Sequence, residues 1–294
     1  MNLSWREELS EIEKILERTL PPAKKYPAVL HEAMRYSTLG GGKRLRALLI
    51  RGACRAVGGN VEKTGGFLAA LEMIHAYSLI HDDLPCMDDD DLRRGKPANH
   101  KVYGEAVAVL AGDGLLTDAF FELAQLPQKY GVEEKTALRL VFEIAKNAGS
   151  RGMVGGQAVD IISEGREIDQ ATLDYIHRHK TGALIKAALR GGAILGGASN
   201  DELEAITDYA ENFGLAFQIT DDILDEVGDS ASLGKETGAD KRRAKQTFPK
   251  LYGLEKSREI VDSCIKKCRS ALEGLSGDIQ LLQDLAAFIG GRDH

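Results

Sequence analysis

Sustained apolar–polar alternation is missing from this chain, and with it the signature of a sheet protein. Cysteine is scarce. Cys54, Cys86, Cys264 and Cys268 are the four in 294 residues, and none forms a Cys-x-x-Cys pair, which excludes a disulfide scaffold. Cys264 and Cys268 stand at helical i,i+4 spacing without nearby histidines, the pattern of reduced thiols in a cytoplasmic protein. No apolar run is long enough to span a bilayer and no signal peptide is legible, so a cytoplasmic chain is expected. A basic excess is also wanting: 38 Lys and Arg stand against 45 Asp and Glu, a formal net charge of -7. That balance argues against general nucleic-acid binding, which relies on cations to displace counterions.

What is present is helical periodicity. Leu9, Ile12, Leu16 and Leu20 recur at helical spacing, as do Phe67, Leu71, Ile74 and Ser78, and Leu203, Ile206, Ala210, Phe213 and Phe217. Breaks fall at Pro21-Pro22, Gly40-Gly41-Gly42, Gly58-Gly59, Pro85, Pro97, Pro127, Gly196-Gly197 and residues 226–249. The pattern predicts an all-α protein, a single domain over 1–294 built as a bundle of about ten or more helices. Gly152 with Gly155-Gly156, and Gly191-Gly192, fall inside helical patterns and predict close helix approach. Gly40-Gly41-Gly42-Lys43-Arg44 lacks the spacing of a P-loop.

Two aspartate clusters stand out against this background. Asp82-Asp83 with Asp88-Asp89-Asp90-Asp91 closes one helical pattern, and Asp221-Asp222 with Asp225 closes another. Clustered carboxylates raise one another's pKa unless a cation neutralises them. At 100° per residue, Gln218, Asp221, Asp222 and Asp225 lie beside the apolar stripe that ends at Phe217, and Asp221 and Asp225 are i,i+4 neighbours able to share ions. His75, Ser78 and Asp82 continue the face of Phe67, Leu71 and Ile74, which implies a central polar cavity inside the bundle. Inward carboxylates are costly without a cation, and magnesium fits them best; Asp89, Asp90 and Asp91 read as a solvated run. An EF-hand is excluded, because its glycine and terminal glutamate are not at the required spacing. Lys43 and Arg46 share a face near a helix N-terminus, a favourable setting for an anion, and Arg93-Arg94 follow the first cluster. Together with Lys180-Thr181 and Lys235, these cations suit two diphosphates, one gripped through metal and one directly.

Gly-Gly-Lys43-Arg44-Leu-Arg46, the first cluster with Leu-Arg93-Arg94-Gly95, Gly152-Met153-Val-Gly-Gly-Gln157-Ala-Val-Asp160, His179-Lys180-Thr181-Gly182, the second cluster, and Gly234-Lys235 leading to Asp240 occur in one order. This ordered set resembles the short-chain trans-isoprenyl diphosphate synthases, most of all their bacterial farnesyl diphosphate branch. The resemblance implies the isoprenoid synthase fold, a homodimer, and condensation of isopentenyl diphosphate with an allylic diphosphate. It implies three magnesium ions, with Asp82, Asp88 and Asp221 as ligands and Asp83, Asp222 and Asp225 supporting them directly or through water. Lys43, Arg46, His75 and Arg94 would hold isopentenyl diphosphate, and Arg93, Lys180 and Lys235 the allylic diphosphate. Thr181 and Gln218 would place oxygen dipoles where positive charge develops.

Four residues including Pro85-Cys86 separate Asp83 from Asp88, so the first cluster is expected to stretch across a helix end, with the second geometrically more secure. Tyr77, five residues before Asp82, occupies the family's chain-length position, and a large ring there favours a fifteen-carbon product over ten or twenty. Other readings of the residues are an HD-type phosphohydrolase prompted by His81-Asp82, a terpene cyclase, and a non-catalytic subunit of a heteromeric synthase. The phosphohydrolase leaves the Asp221 cluster unexplained, and a non-catalytic subunit is expected to lose acidic ligands that this chain keeps.

Overall fold

The computed structural model describes residues 3–227 and 247–291; Lys235, Asp240, the basic run at 241–245 and Arg292 lie outside the described residues. The fold is all-α, as the periodicity predicts, and its described residues gather in two compact units. One comprises Met1–Leu48 and Glu62–Val141, the other Leu49–Val61 and Phe142–His294.

In the first unit, α1 (Leu3–Thr19), α2 (Ala28–Thr38) and α6 (Glu105–Ala124) pack around α4 (Gly65–Asp82). Every residue of α4 from Gly65 to Ile74 is buried, the condition of a helix that is apolar on all sides. Glu72 is the one charged residue in that stretch, met by Arg44 at 3.4 Å, and further polar groups enter in the last turns, at His75, Ser78, His81 and Asp82. The expected breakers fall where the helices stop. α1 ends before Pro21-Pro22, α2 before Gly40, α3 (Leu45–Ala56) before Gly58, and α4 before Pro85.

One element departs from the periodicity. Residues Leu92–Arg93 (β1) and Lys96–Pro97 (β2) pair as an antiparallel hairpin too short to carry any alternation. Arg94 and Gly95 turn it with φ of 54° and 74°, the positive values that a two-residue turn matched to strand twist requires. The short helices α5 (Asn99–Tyr103) and α7 (Leu126–Tyr130) flank α6 in sequence, and α8 (Glu134–Ala148) follows them.

The second unit is organised on α12 (Asn200–Val227), 28 residues and so about 42 Å long at the helical rise. Ser199 and Glu202 start it with reciprocal bonds, Glu202 N–H to Ser199 Oγ at 3.2 Å and Ser199 N–H to Glu202 Oε2 at 2.9 Å, a capping box. Leu203, Ile206, Ala210 and Phe213 are buried along the predicted stripe. α12 packs on α11 (Ala183–Gly196) and α14 (Leu254–Ala271), and the Tyr209 hydroxyl donates to Leu282 O of α15 (Gln280–Gly290) at 2.7 Å. Between α10 (Gln170–Ile176) and α11 the chain winds as a π turn, His177–Gly182, an uncommon form that tends to mark functional positions. α9 (Met153–Ser163) crosses it closely: a Cβ at Gly156 would overlap the Lys180 backbone nitrogen, and one at Gly192 would overlap the Ile50 carbonyl. Those are the close approaches that the two glycine pairs predict.

Candidate active site

The first acidic cluster is more compact than its sequence suggests. α4 ends at Asp82, and the following loop curls back, so that Asp88 N–H donates to Asp82 O at 2.8 Å and Asp89 N–H to Leu84 O at 3.0 Å. Asp89 takes φ 50° to make this turn. The two-residue insertion therefore closes on itself, and the expected stretch between Asp82 and Asp88 is replaced by a backbone hydrogen bond.

Adjacent aspartates here have different environments. Asp82 is half-buried, whereas Asp83 is 2 % exposed and accepts from Arg93 Nε at 2.8 and 3.2 Å and from Arg93 Nη2. Arg93 also donates to Asp90 at 3.0 Å, which draws Asp90 out of the solvated run. Burial works against the Arg93 charge, but the hydrogen bond and charge of Asp83, with Asp90 and Asp82 behind, outweigh it and raise its pKa. Arg94, across the tight turn, points elsewhere: its guanidinium donates to Gly41 O and lies over Gly42, where a Cβ would meet it.

Around His75 the first unit gathers its cations. Burial, then the charges of Arg46, Arg94, Arg93 and Arg44, hold the His75 pKa well below 6.5, so the ring is neutral at pH 7. Arg46 sits in the first turn of α3 and Lys43, exposed, two residues before that helix. Arg44 between them turns inward with φ 47° and is 4 % exposed, bound to Glu13 at 2.6 and 3.2 Å, Glu72 at 3.4 Å and Thr38 O at 2.8 Å. In the Lys-Arg-Leu-Arg segment the middle cation, Arg44, is thus buried and structural, while Lys43 and Arg46 are more exposed. A cleft with about 370 Å³ of empty volume, part of it open solvent, lies beside this group, lined among others by Tyr36, Ser37, Asp83, Arg93, Arg94 and Lys96.

In the second unit the acidic cluster rides on α12 itself. Asp221 and Asp225 are half-buried one turn apart, while Asp222 is 4 % exposed. Asp222 accepts from Gln218 Nε2 at 2.9 Å and from the Phe248 backbone N–H at 3.1 Å, and His177 Nε2 stands 3.8 Å away. Burial pushes the His177 pKa down to about 4, so this imidazole is neutral and stacks on Phe248. Thr181 Oγ1 donates to Gln218 Oε1 at 2.9 Å, and Lys180 Nζ donates to Asp160 Oδ2 at 2.7 Å. The π turn, α12 and α13 (Phe248–Tyr252) are joined in this way through Gln218 and Asp222.

Both clusters therefore split the same way: Asp83 and Asp222 are buried and bonded, and Asp82, Asp88, Asp221 and Asp225 keep partial exposure. Those four are hard oxygen donors, which suit magnesium. Among the described residues no three His, Cys, Asp or Glu side chains converge on one point. Magnesium needs no such cage, since it takes one or two carboxylates and completes its octahedron with water and substrate phosphate.

Residues 27–276 match the family described as Polyprenyl synthetase. The chain belongs to that family. It is 48 % identical over 287 residues to the heterodimeric geranylgeranyl pyrophosphate synthase large subunit 1, chloroplastic, of Arabidopsis thaliana, covering 96 % of this chain and 77 % of that one. To the farnesyl diphosphate synthase of Geobacillus stearothermophilus it is 44 % identical, over 91 % of this chain and 90 % of the relative. A solved geranyltransferase of Helicobacter pylori, complexed with magnesium and isoprenyl diphosphate, superimposes with a TM-score of 0.83 at 32 % identity, over 97 % of this chain and 94 % of that one. The chain is thus a short-chain prenyltransferase with the isoprenoid synthase fold, and its family is magnesium-dependent. That membership displaces the phosphohydrolase alternative, and His81, which prompted it, is held by Val109 O at 3.1 Å. No helix among the described residues is long and apolar enough to cross a membrane.

Several contributors carry no role in the sequence reading. Asp160 is visible there as the last residue of its Gly-Gly-Gln-x-x-Asp segment, and Lys180 gives it a purpose. His177 precedes Lys180 by three residues, a spacing that a continuous helix would also explain. Phe248 has no signal at all, because its bond to Asp222 joins residues 26 apart through a backbone amide.

Proposed function

We propose that the protein elongates dimethylallyl and then geranyl diphosphate with isopentenyl diphosphate, releasing farnesyl diphosphate as its principal product. The supporting observation is the Tyr77 ring, 7 % exposed on α4 five residues before Asp82, where a large side chain limits the space for a growing prenyl chain. The 44 % identity to a farnesyl diphosphate synthase supports the same product. Geranylgeranyl diphosphate is the second reading, favoured by the 48 % identity to a relative named for it.

In this scheme Asp82, Asp88, Asp221 and Asp225 are the ligands of three magnesium ions, and residues 1–294 serve as one catalytic domain. When bound, magnesium neutralises diphosphate oxygens and so assists departure of that group from the allylic carbon. Asp83 and Asp222 act behind the ligands, the first by fixing Arg93 and the second by fixing Gln218. Lys43, Arg46 and Arg94 grip isopentenyl diphosphate, and the neutral His75 donates a hydrogen bond without adding a charge. Lys180, aligned by Asp160, and Lys235 grip the allylic diphosphate, with Arg93 offering what its carboxylates leave. The oxygens of Thr181 and Gln218 face the carbon where positive charge grows. No protein base is assigned, and the released diphosphate takes the proton lost after carbon–carbon bond formation.

Val109, Leu110 and Phe121 of α6 are 40 %, 57 % and 65 % exposed, an apolar face that supports a homodimer. The four free thiols support a cytoplasmic location. Incubation with magnesium, isopentenyl diphosphate and dimethylallyl diphosphate, followed by product sizing, tests the scheme. Fifteen carbons are expected from the wild type and longer chains from Tyr77→Ala. A twenty-carbon wild-type product would overturn the farnesyl assignment, and an unchanged distribution in the variant would remove Tyr77 from it.

A further inference from the structure

Tyr77 does not stand alone on α4. One turn on, His81 meets its ring edge-on, with centroids 5.8 Å apart and planes at 76°, the favoured geometry of an aromatic pair. His81 is itself seated on α6: its Nε2 lies 3.1 Å from Val109 O, and its imidazole fills the space above Gly112. A Cβ on residue 112 would overlap Nε2, Cδ2 and Cε1 of that imidazole at once. Glycine 112 is therefore the seat that lets His81 reach across from α4 to the α6 backbone. The bond to Val109 O requires the proton on Nε2, which fixes the ring and presents its face or edge to Tyr77 in one way only.

We infer that the length of the prenyl product is set by a three-residue unit, Tyr77–His81–Gly112, in which His81 is a positioning residue that braces the Tyr77 ring and Gly112 makes room for the brace. The inference rests on Tyr77 being the wall of the elongation pocket. A side chain that walls a cavity limits length only as far as it resists the incoming chain. A tyrosine has two side-chain torsions, and without its edge-on neighbour it yields to each added isoprene unit. Removing His81 should act as a partial removal of Tyr77 while leaving that residue in place.

The test compares product distributions, with dimethylallyl diphosphate as acceptor, for wild type, Tyr77→Ala, His81→Ala, Gly112→Ala, His81→Phe and the double variant Tyr77→Ala/His81→Ala. His81→Ala and Gly112→Ala are each expected to raise the share of products one unit longer than the wild-type product by about fivefold or more. His81→Phe restores an aromatic edge without the bond to Val109, and an intermediate shift is expected from it. The double variant is expected to match Tyr77→Ala alone, because a brace has nothing to hold once the ring is gone. Should Gly112→Ala fail to fold, His81→Ala and His81→Phe carry the comparison. Lengthening by Tyr77→Ala with wild-type products from both His81 variants would overturn the brace and leave the wall intact. A double variant that lengthens beyond Tyr77→Ala would overturn it too, since His81 would then wall the pocket itself. Wild-type products from Tyr77→Ala would overturn the wall, and the brace with it.

Discussion

The two acidic clusters solve one problem with different means. In the first unit the carboxylates sit on a loop that has left the helix, and the loop is fixed by Asp88 N–H on Asp82 O and by Arg93 clasping Asp83 and Asp90. In the second unit the carboxylates are on the helix itself: α12 carries Asp221, Asp222 and Asp225 within its last two turns, and Asp222 accepts from Gln218 and Phe248 N–H. An arginine clasp and a backbone bond help secure the first; hydrogen bonds from Gln218 and the Phe248 amide to the Asp222 carboxylate, with His177 stacked on Phe248, help secure the second. The ion-paired loop gains rigidity from a cation, Arg93, that anions also attract.

Replacing the half-exposed aspartates should treat both clusters alike. In the proposed scheme Asp82→Ala and Asp221→Ala each remove oxygen donors to magnesium, and several kcal/mol of charge stabilisation correspond to an expected fall in kcat on the order of 10³-fold. Steady-state assays at saturating magnesium check this, and retention of wild-type rate by either variant would break the symmetry proposed for them.

Replacing the buried aspartates should separate the clusters. Asp83→Asn and Asp222→Asn are each expected to lower activity by about 10- to 100-fold, the usual cost of disturbing a group that orients a ligand. Asp83→Asn leaves a largely buried guanidinium short of its main counter-charge, so it should also lose about 3 kcal/mol of stability. Urea denaturation measures the difference, and adding Arg93→Met should recover the stability but not the rate.

A smaller effect probes the second unit alone. Gly156→Ala forces a methyl group into the backbone of the π turn at Lys180, an overpacking worth about 2 kcal/mol. Its KM for the allylic diphosphate should rise while the KM for isopentenyl diphosphate stays put.

The smallest effect probes the first unit. His75 keeps a folded-state pKa well below 6.5, so on acidification below pH 6.5 the unfolded chain binds a proton that the native chain refuses. Stability must then fall as pH falls, by at most about 1.4 kcal/mol per pH unit for one group. His75→Gln should flatten that part of the profile between pH 6.5 and 5, as read from urea midpoints, and an unaltered slope would show that His75 takes up its proton equally in the folded and unfolded chains.

Much of this was legible in the sequence wherever a periodic pattern carried it. α4 and α12, their inward polar ends and the breaker positions all follow from spacing. The family and its prenyltransferase reaction came from the ordered motifs, which the family match bears out. What escaped was local geometry of low sequence cost. Two strands of two residues give no alternation to detect, so the hairpin that aims Arg93 and Arg94 was invisible. The π turn adds a residue to a helix without altering composition, and it hid behind the continuous pattern from α10 to α11. The loop from Asp83 to Asp88 seemed a stretch because its closing bond is made by backbone atoms, which no side-chain pattern reports.

The hairpin has one further consequence. Arg93 and Arg94 are neighbours in the chain, yet one clasps Asp83 and Asp90 while the other rests on Gly41 and Gly42, because Arg94-Gly95 forms a single tight reversal. Two separate placements, Arg93 on the carboxylate loop and Arg94 on the Gly41-Gly42 backbone, depend on the same few torsions. A substitution at Gly95 would be felt in both placements at once, so neither arginine can be tuned by changes in that turn without retuning the other.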